Sequence, residues 1–328
     1  MLQEVETFQP DVVYVWMILG VGGLGLLGGL QHLGIPWVWH LMDEVPSQLC
    51  SSNWKVIPGL ARAYSRFIKG RYIACSRSLA ERIERKGVRL ESEVHLIPNW
   101  VIGDRPTLRD SFYQSGRLRI MSAGRVTKDK GMAMLVEVAA ELLDRGIDDF
   151  QVDIYGALVE PAIVEEARKL GLEDRVRFMG TRPQSELLSL YQSYDIFAFP
   201  TESREPFGFA PLEAAARGCV PLMTQVCGIG EWLVHGVHCL KTARTVRSFA
   251  DAIASIIGGE VDLATIGRRT QRVVLRDFHR DAILPKIERI LQSAATVPRR
   301  GGGTAEEAHR MAIIAERLSH AIVQEPFC

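Results

Sequence analysis

Two carboxylates and a small group of cations carry the chemistry that this sequence offers. The run Glu205-Pro-Phe-Gly-Phe-Ala-Pro-Leu-Glu213 follows an apolar stretch, Ile196-Phe-Ala-Phe-Pro200, that reads as a buried strand. Pro206 and Gly208 hold its first part as a loop, while Pro211 suits a first helical turn and Gly218 the residue past the helix end. A loop entering a helix at a strand's carboxyl end presents free N–H groups and a helix dipole to an anion. Glu205 on the loop and Glu213 inside the helix cannot share one helical face, so they address different parts of one extended ligand. A carboxylate accepts two hydroxyl hydrogen bonds at once, which suits a ribose or hexose diol. The second constellation is Ser122-Ala-Gly-Arg125 with Lys128, Lys130 and Gly131. Gly124 permits a tight turn, and Arg125 and Lys130 would place two positive charges near the 208–211 helix start. Such charges stabilise a diphosphate leaving group as its negative charge develops, without a metal.

These residues need a scaffold, and the hydropathy pattern supplies one. Past a polar linker at 103–116, strands are expected at 118–123, 150–155, 176–179, 195–200, 220–224 and 238–241. Helices are expected between them at 131–145, 161–170, 184–192, 211–217 and 230–235, then at 246–257. Strand and helix in strict turn mean parallel βαβ units and a doubly wound sheet, with ligands at the carboxyl ends of the strands. Upstream, strands are expected at 11–18 and 35–42, flanking a helix at 20–32, with further helical and strand segments between 60 and 99. Two helices follow at 263–293, then a flexible Pro298–Gly303 linker and a last helix at 304–324 opened by the capping box Thr304-Ala-Glu-Glu307.

At this point the sequence resembles a known family. Gly124-Arg-x4-Lys-Gly131, Tyr155-Gly156, the 175–180 strand, Glu205-x7-Glu213 and Gly228-x-Gly-Glu-x3-His-Gly236 look like family 4 retaining glycosyltransferases of the GT-B fold. The resemblance covers about 10–293 and implies an α/β architecture of two Rossmann-like domains, with parallel sheets flanked by helices. It implies transfer of a hexose from a nucleotide-diphosphate sugar to a hydroxyl acceptor, a saccharide or lipid-linked saccharide, with retention of configuration. No metal and no cofactor beyond the donor substrate are expected. Carried over by motif, Arg125 and Lys130 would bind the diphosphate beside Gly124. Glu205 would bind sugar hydroxyls, with backbone N–H groups from Phe207, Gly208, Phe209 and Ala210 beside it. Glu213 would hold the ribose hydroxyls, and the base would sit near Gly156 and Gly180-Thr181. No double-displacement nucleophile is evident, so front-side attack is expected.

The N-terminal part carries the resemblance in Pro10-Asp-Val-Val-Tyr-Val-Trp16, Ile35-Pro36, His40 and Leu96-Ile-Pro-Asn99. Where relatives show a catalytic or acceptor-side His, this chain offers His40 and Asp43; His40 reads equally as a hydrogen-bonded core residue. The stretch before the linker is short for the family, and an incomplete N-terminal domain is expected. The division is 1–109, a partial acceptor-side domain; 110–262, the nucleotide-sugar-binding domain; 263–296, helices packing back toward the first; and 297–328, linker and final helix. Two rival readings stand beside this one. Gly20-Val-Gly-Gly-Leu-Gly25 with Asp43 matches a dinucleotide-binding fingerprint and would make an NAD-dependent oxidoreductase. The short first domain would also suit a non-catalytic nucleotide-sugar-binding protein.

Composition narrows the classes further. Lys plus Arg and Asp plus Glu balance at 39 each, and without a basic surplus no nucleic-acid partner is expected. Six cysteines form no C-x-x-C pair and no zinc spacing, which fits a reducing cytoplasm. The uncharged segment 12–30 approaches a membrane span in length, but its six glycines and acidic flank favour a buried strand and helix. A cytoplasmic chain is expected, with peripheral contact at the cytoplasmic membrane face allowed. Lys128 reads as a solvated face, and Tyr191 and Tyr194 as packing.

Overall fold

The computed structural model describes residues 2–16, 23–45, 70–86, 90, 94–113, 116–201 and 205–296. The expected helix at 60–68, the 298–303 linker, the 304–324 helix and part of the glycine-rich run at 20–25 lie outside the described residues. The chain divides into two compact units, Met1–Pro98 with Leu284 onward, and Asn99–Ile283.

The first unit holds a parallel sheet in the order β1 (Val13–Val15), β2 (Trp37–Leu41), β3 (Arg71–Ala74) and β4 (Val94–Leu96). Its helices include α1 (Leu2–Phe8), α2 (Gly23–His32) and α3 (Arg77–Arg85). All five residues of β2 are buried, as a strand covered on both faces requires. Ser76 caps α3 by accepting the Leu79 N–H at 3.3 Å, and Leu79 and Ile83 are the fully buried face of that helix. The described part of the uncharged segment holds β1 and most of α2, and among the described residues no helix is long and apolar enough to cross a membrane.

The second unit is built on a six-stranded parallel sheet. Its strands are β5 (Leu118–Ala123), β6 (Phe150–Tyr155), β7 (Val176–Gly180), β8 (Ile196–Phe199), β9 (Val220–Thr224) and β10 (Leu240–Thr242). The spatial order is β10-β9-β8-β5-β6-β7. Helices α4 (Met132–Asp144), α5 (Ala162–Lys169), α6 (Gln184–Leu190), α7 (Phe209–Ala216), α8 (Val246–Ile257) and α9 (Leu263–Asp277) connect or follow the strands, and α10 (Arg280–Ala295) runs on from this unit. Phe150, Val152 and Ile154 of β6 pack with Leu135, Val138 and Leu142 of α4 in the main core cluster.

The chain leaves β5 toward β6 and β7, then returns to lay β8 on the other side of β5. The topological switch point therefore falls between β5 and β8, where ligands of doubly wound sheets bind.

Three expectations change. The 230–235 helix is a 3-10 turn at Gly228–Glu231, because two glycines there disfavour a longer helix. The 238–241 strand begins later, at Leu240, because the 234–238 segment turns back on itself through His238 N–H to Val234 C=O at 2.8 Å. The 103–116 linker is no free tether in the stretch described. Arg109 donates to Asp195 at 2.9 Å, and Gln271 accepts the Arg109 N–H at 2.8 Å and donates to Thr107 C=O at 3.0 Å.

Candidate functional site

The loops after β5 and β8 meet at the switch point. Gly131 adopts a φ of +76°, and a Cβ there would lie 2.0 Å from the Pro200 carbonyl oxygen, so the β5 loop can approach β8 only with glycine at this position. Thr201 donates to Asp129 C=O at 3.1 Å and fastens the two loops side by side. Across them Lys130 Nζ reaches Glu205 Oε2 at 2.7 Å, with both side chains largely shielded, at 24% and 18% exposure. Arg125 lies further out, 62% exposed, with Asp129 at 3.6 Å. Lys128 is exposed, as a solvated cation should be.

Glu205 is held by its backbone as well as by Lys130. Its carbonyl accepts the Gly228 N–H at 3.0 Å, and Phe207 C=O accepts the Ile229 N–H at 2.8 Å. The Glu205 loop and the Gly228 block, far apart in sequence, thus form one backbone ladder. Gly208 then caps α7, Phe207 is buried, and Phe209 is 44% exposed at the helix start. The first-turn N–H groups of α7, at Phe209 and Ala210, have no intrahelical acceptor and suit an anion. On the other side of β5, Gly124 N–H donates to Tyr155 C=O and Gly156 N–H to Gly180 C=O, each at 2.9 Å. Gly156 and Thr181 therefore border the same carboxyl edge as Lys130, with Thr181 exposed.

Glu213 sits one turn into α7, in a cleft lined by Val101, Ile102, Leu188, Arg217 and His279 among others. Gln184 Nε2 donates to its Oε1 at 2.7 Å, and the Tyr191 hydroxyl reaches its Oε2 at 3.5 Å. Burial pushes the Glu213 carboxyl above its ordinary range, while these donors and the Arg217 charge pull it back. Tyr191 and Tyr194 do more than pack. Tyr194 donates to Asp153 at 2.6 Å and shares a 2.9 Å hydrogen bond with Tyr155, while Arg177 grips Asp153 through two bonds. Gln184 gave no signal in the sequence: it is an ordinary polar residue at the first position of α6.

His40 lies in the first unit and is fully buried on β2. Its Nδ1 is 2.7 Å from the Tyr14 hydroxyl, and the Trp16 ring stands edge-on at 4.8 Å. Burial lowers its pKa to about 4, so it is a neutral imidazole at pH 7. Tyr14 and Trp16 thus hold the neutral ring in place on β2. Asp43 accepts the Val45 N–H at 2.9 Å in a local turn.

Comparison with known proteins bears on the fold and on the family. The solved structure of Alr3699/HepE from Anabaena, determined with UDP, superposes with a TM-score of 0.70 over 89% of this chain and 80% of its own, at 21% identity. Sucrose-phosphate synthase from Thermosynechococcus elongatus gives 0.67 over 89% and 75%, at 19% identity. Both show the GT-B fold for this chain, two parallel α/β sheets flanked by helices. The D-inositol 3-phosphate glycosyltransferase of Corynebacterium urealyticum is 33% identical over 145 residues, which is 42% of this chain and 34% of that protein. The match thus spans about a third of such relatives. The family model for glycosyl transferases group 1 matches residues 104–273, just over half of the chain and all within the second unit. On fold, on switch-point geometry and on this match, the chain belongs to the glycosyl transferases group 1 family.

Proposed function

We propose that the second unit binds a nucleotide-diphosphate sugar and that the protein transfers its hexose to a hydroxyl acceptor with retention of configuration, as a family 4 enzyme. The observation that carries this reading is the Lys130–Glu205 pair at the switch point, beside the start of α7. With no ligand, each charge neutralises the other. A donor would separate them: its diphosphate takes Lys130, Arg125 and the α7 N–H groups, and its sugar hydroxyls donate to Glu205. As the glycosidic bond breaks, the growing charge on the diphosphate is met by cations already in place, which lowers the barrier without reorganisation. Glu205 steadies the sugar while the acceptor hydroxyl attacks from the face that the diphosphate leaves, and the hydroxyl proton passes to the departing diphosphate oxygen. Glu213 accepts the ribose hydroxyls. The solved Alr3699/HepE complexes contain UDP and UDP-glucose, which makes UDP-glucose the first donor to try.

The test is a transfer assay with UDP-, GDP- and ADP-glucose and a panel of saccharide and lipid-linked acceptors, with the product anomer read by NMR. Turnover with retention, insensitive to EDTA and lost in Glu205→Ala, is the expected result. Inversion of the anomeric centre would refute the mechanism. Donor binding with no turnover would favour the second reading, a nucleotide-sugar-binding protein, which the confinement of the family match to 104–273 also suits.

A further inference from the structure

Glu213 can accept ribose hydroxyls only as an ionised carboxylate with lone pairs turned toward the ligand. Its surroundings work against the first condition. The cleft wall is mainly apolar, with Val101, Ile102, Pro106, Leu188 and Leu275 facing it, and burial favours the protonated form. The charged and titratable groups around it are Arg217 just past the end of α7, Asp104 on the 101–106 segment, His279 at the mouth of α10 and Tyr191 after α6. Of these, Arg217 favours the charge. Two neutral donors act directly: Gln184 at 2.7 Å on one oxygen and Tyr191 at 3.5 Å on the other. Tyr191 is itself fully buried and edge-on to Phe197 at 5.7 Å. Gln184 occupies the first turn of α6 and reaches across to α7.

We propose that Gln184 and Tyr191 are positioning residues that keep the Glu213 carboxylate ionised and oriented for the donor's ribose. The inference rests on the assignment of Glu213 to the ribose in the proposed function. A hydrogen bond to the charged form of an acid favours that form. Removing the Gln184 amide should therefore raise the pH at which nucleotide binding fails on the acid side. Replacing it with a cation should lower that pH. A purely structural role would not give opposite shifts from two substitutions at one site.

The test uses the full chain, with UDP, GDP and ADP as calorimetric probes from pH 5 to 8 and the tightest binder carried through the variants. Gln184→Ala should move the acid limb upward, so that binding is lost at a higher pH than in the parent protein. Gln184→Lys should move the limb downward, and Tyr191→Phe should move it upward less than Gln184→Ala. Glu213→Gln should weaken binding and flatten the limb. Circular dichroism melts of all four variants identify any that fail to fold. An acid limb unmoved by either Gln184 change, yet flattened by Glu213→Gln, would overturn the positioning role and leave Glu213 as the ribose acceptor. A limb that persists in Glu213→Gln would overturn both.

Discussion

Replacing Lys130 with methionine keeps the aliphatic stem and removes the charge, which separates two jobs that the Lys130–Glu205 pair could have. If the pair serves only the fold, its loss should be felt in stability alone. The two side chains are 24% and 18% exposed, between a surface pair and a fully buried one. Surface pairs are worth up to about 1 kcal/mol and broken buried pairs cost about 3–5, so a cost of about 1–2 kcal/mol is expected. For a unit of this size that lowers the melting temperature by about 3–6 °C. If Lys130 also meets the diphosphate, the variant loses a charge-assisted bond to phosphate, worth about 1.5–3 kcal/mol or about ten- to a hundredfold in Kd. Because Lys130 already holds Glu205 in the empty protein, donor binding exchanges one such bond for another, and the lower end, about tenfold, is the expected loss. The assay is calorimetric titration with nucleotide sugar beside a thermal melt of the same sample. A melting temperature that falls while donor affinity stays within about twofold would show the pair to be structural, and the diphosphate would need another cation.

Three further perturbations follow from particular contacts. Gly156→Ala puts a Cβ 1.7 Å from the Gly124 carbonyl at a φ of +141° and should cost more than about 3 kcal/mol, whereas Gly146→Ala, with open space at φ +74°, should cost about 1; thermal melts of the two compare them directly. Arg109→Met removes the nearer of two cations from Asp195, whose side chain is 5% exposed, and should cost about 3 kcal/mol by urea unfolding, since the Arg119 N–H at 3.0 Å and its guanidinium at 3.8 Å remain on the other carboxylate oxygen. The buried His40 has its pKa lowered to about 4, so between that value and its unfolded value near 6.5 the unfolded chain binds the extra proton and stability falls as pH falls. At pH 5 this amounts to about 2 kcal/mol relative to pH 7.5, and a pH dependence unchanged in His40→Gln would contradict it.

The donor-side elements were legible because their signals are local. Apolar runs such as Ile196-Phe-Ala-Phe marked buried strands, and β5 to β9 lie where periodicity placed them. Lys130 and Glu205 could be placed on one sheet edge because alternating strands and helices bring both loops there, but their ion pair carried no signal in the sequence. The contacts that hold these groups in place were not legible, since each joins residues distant in sequence. Gln184 meets Glu213 only once α6 and α7 are packed, and the 107–109 strap is pinned by Gln271 and Asp195 from far along the chain. Periodicity also cannot tell a linker from a strap, because both are polar and rich in turn residues. Tyr194 looked like packing because an aromatic just before an apolar run carries no mark of what its hydroxyl will bond; here it is Asp153. His40 was open to two readings in sequence because its neighbours Tyr14 and Trp16, 26 and 24 residues away, meet it only once β1 and β2 pair.

The central claim is that the β5–β8 switch point is a nucleotide-sugar site, and calorimetric titration of the full chain with UDP-, GDP- and ADP-glucose tests it most directly, with NAD run alongside and Glu213→Ala as control. The account predicts saturable binding of one nucleotide sugar and its loss in the control. Binding of NAD alone, or nucleotide-sugar binding unchanged by Glu213→Ala, would contradict it.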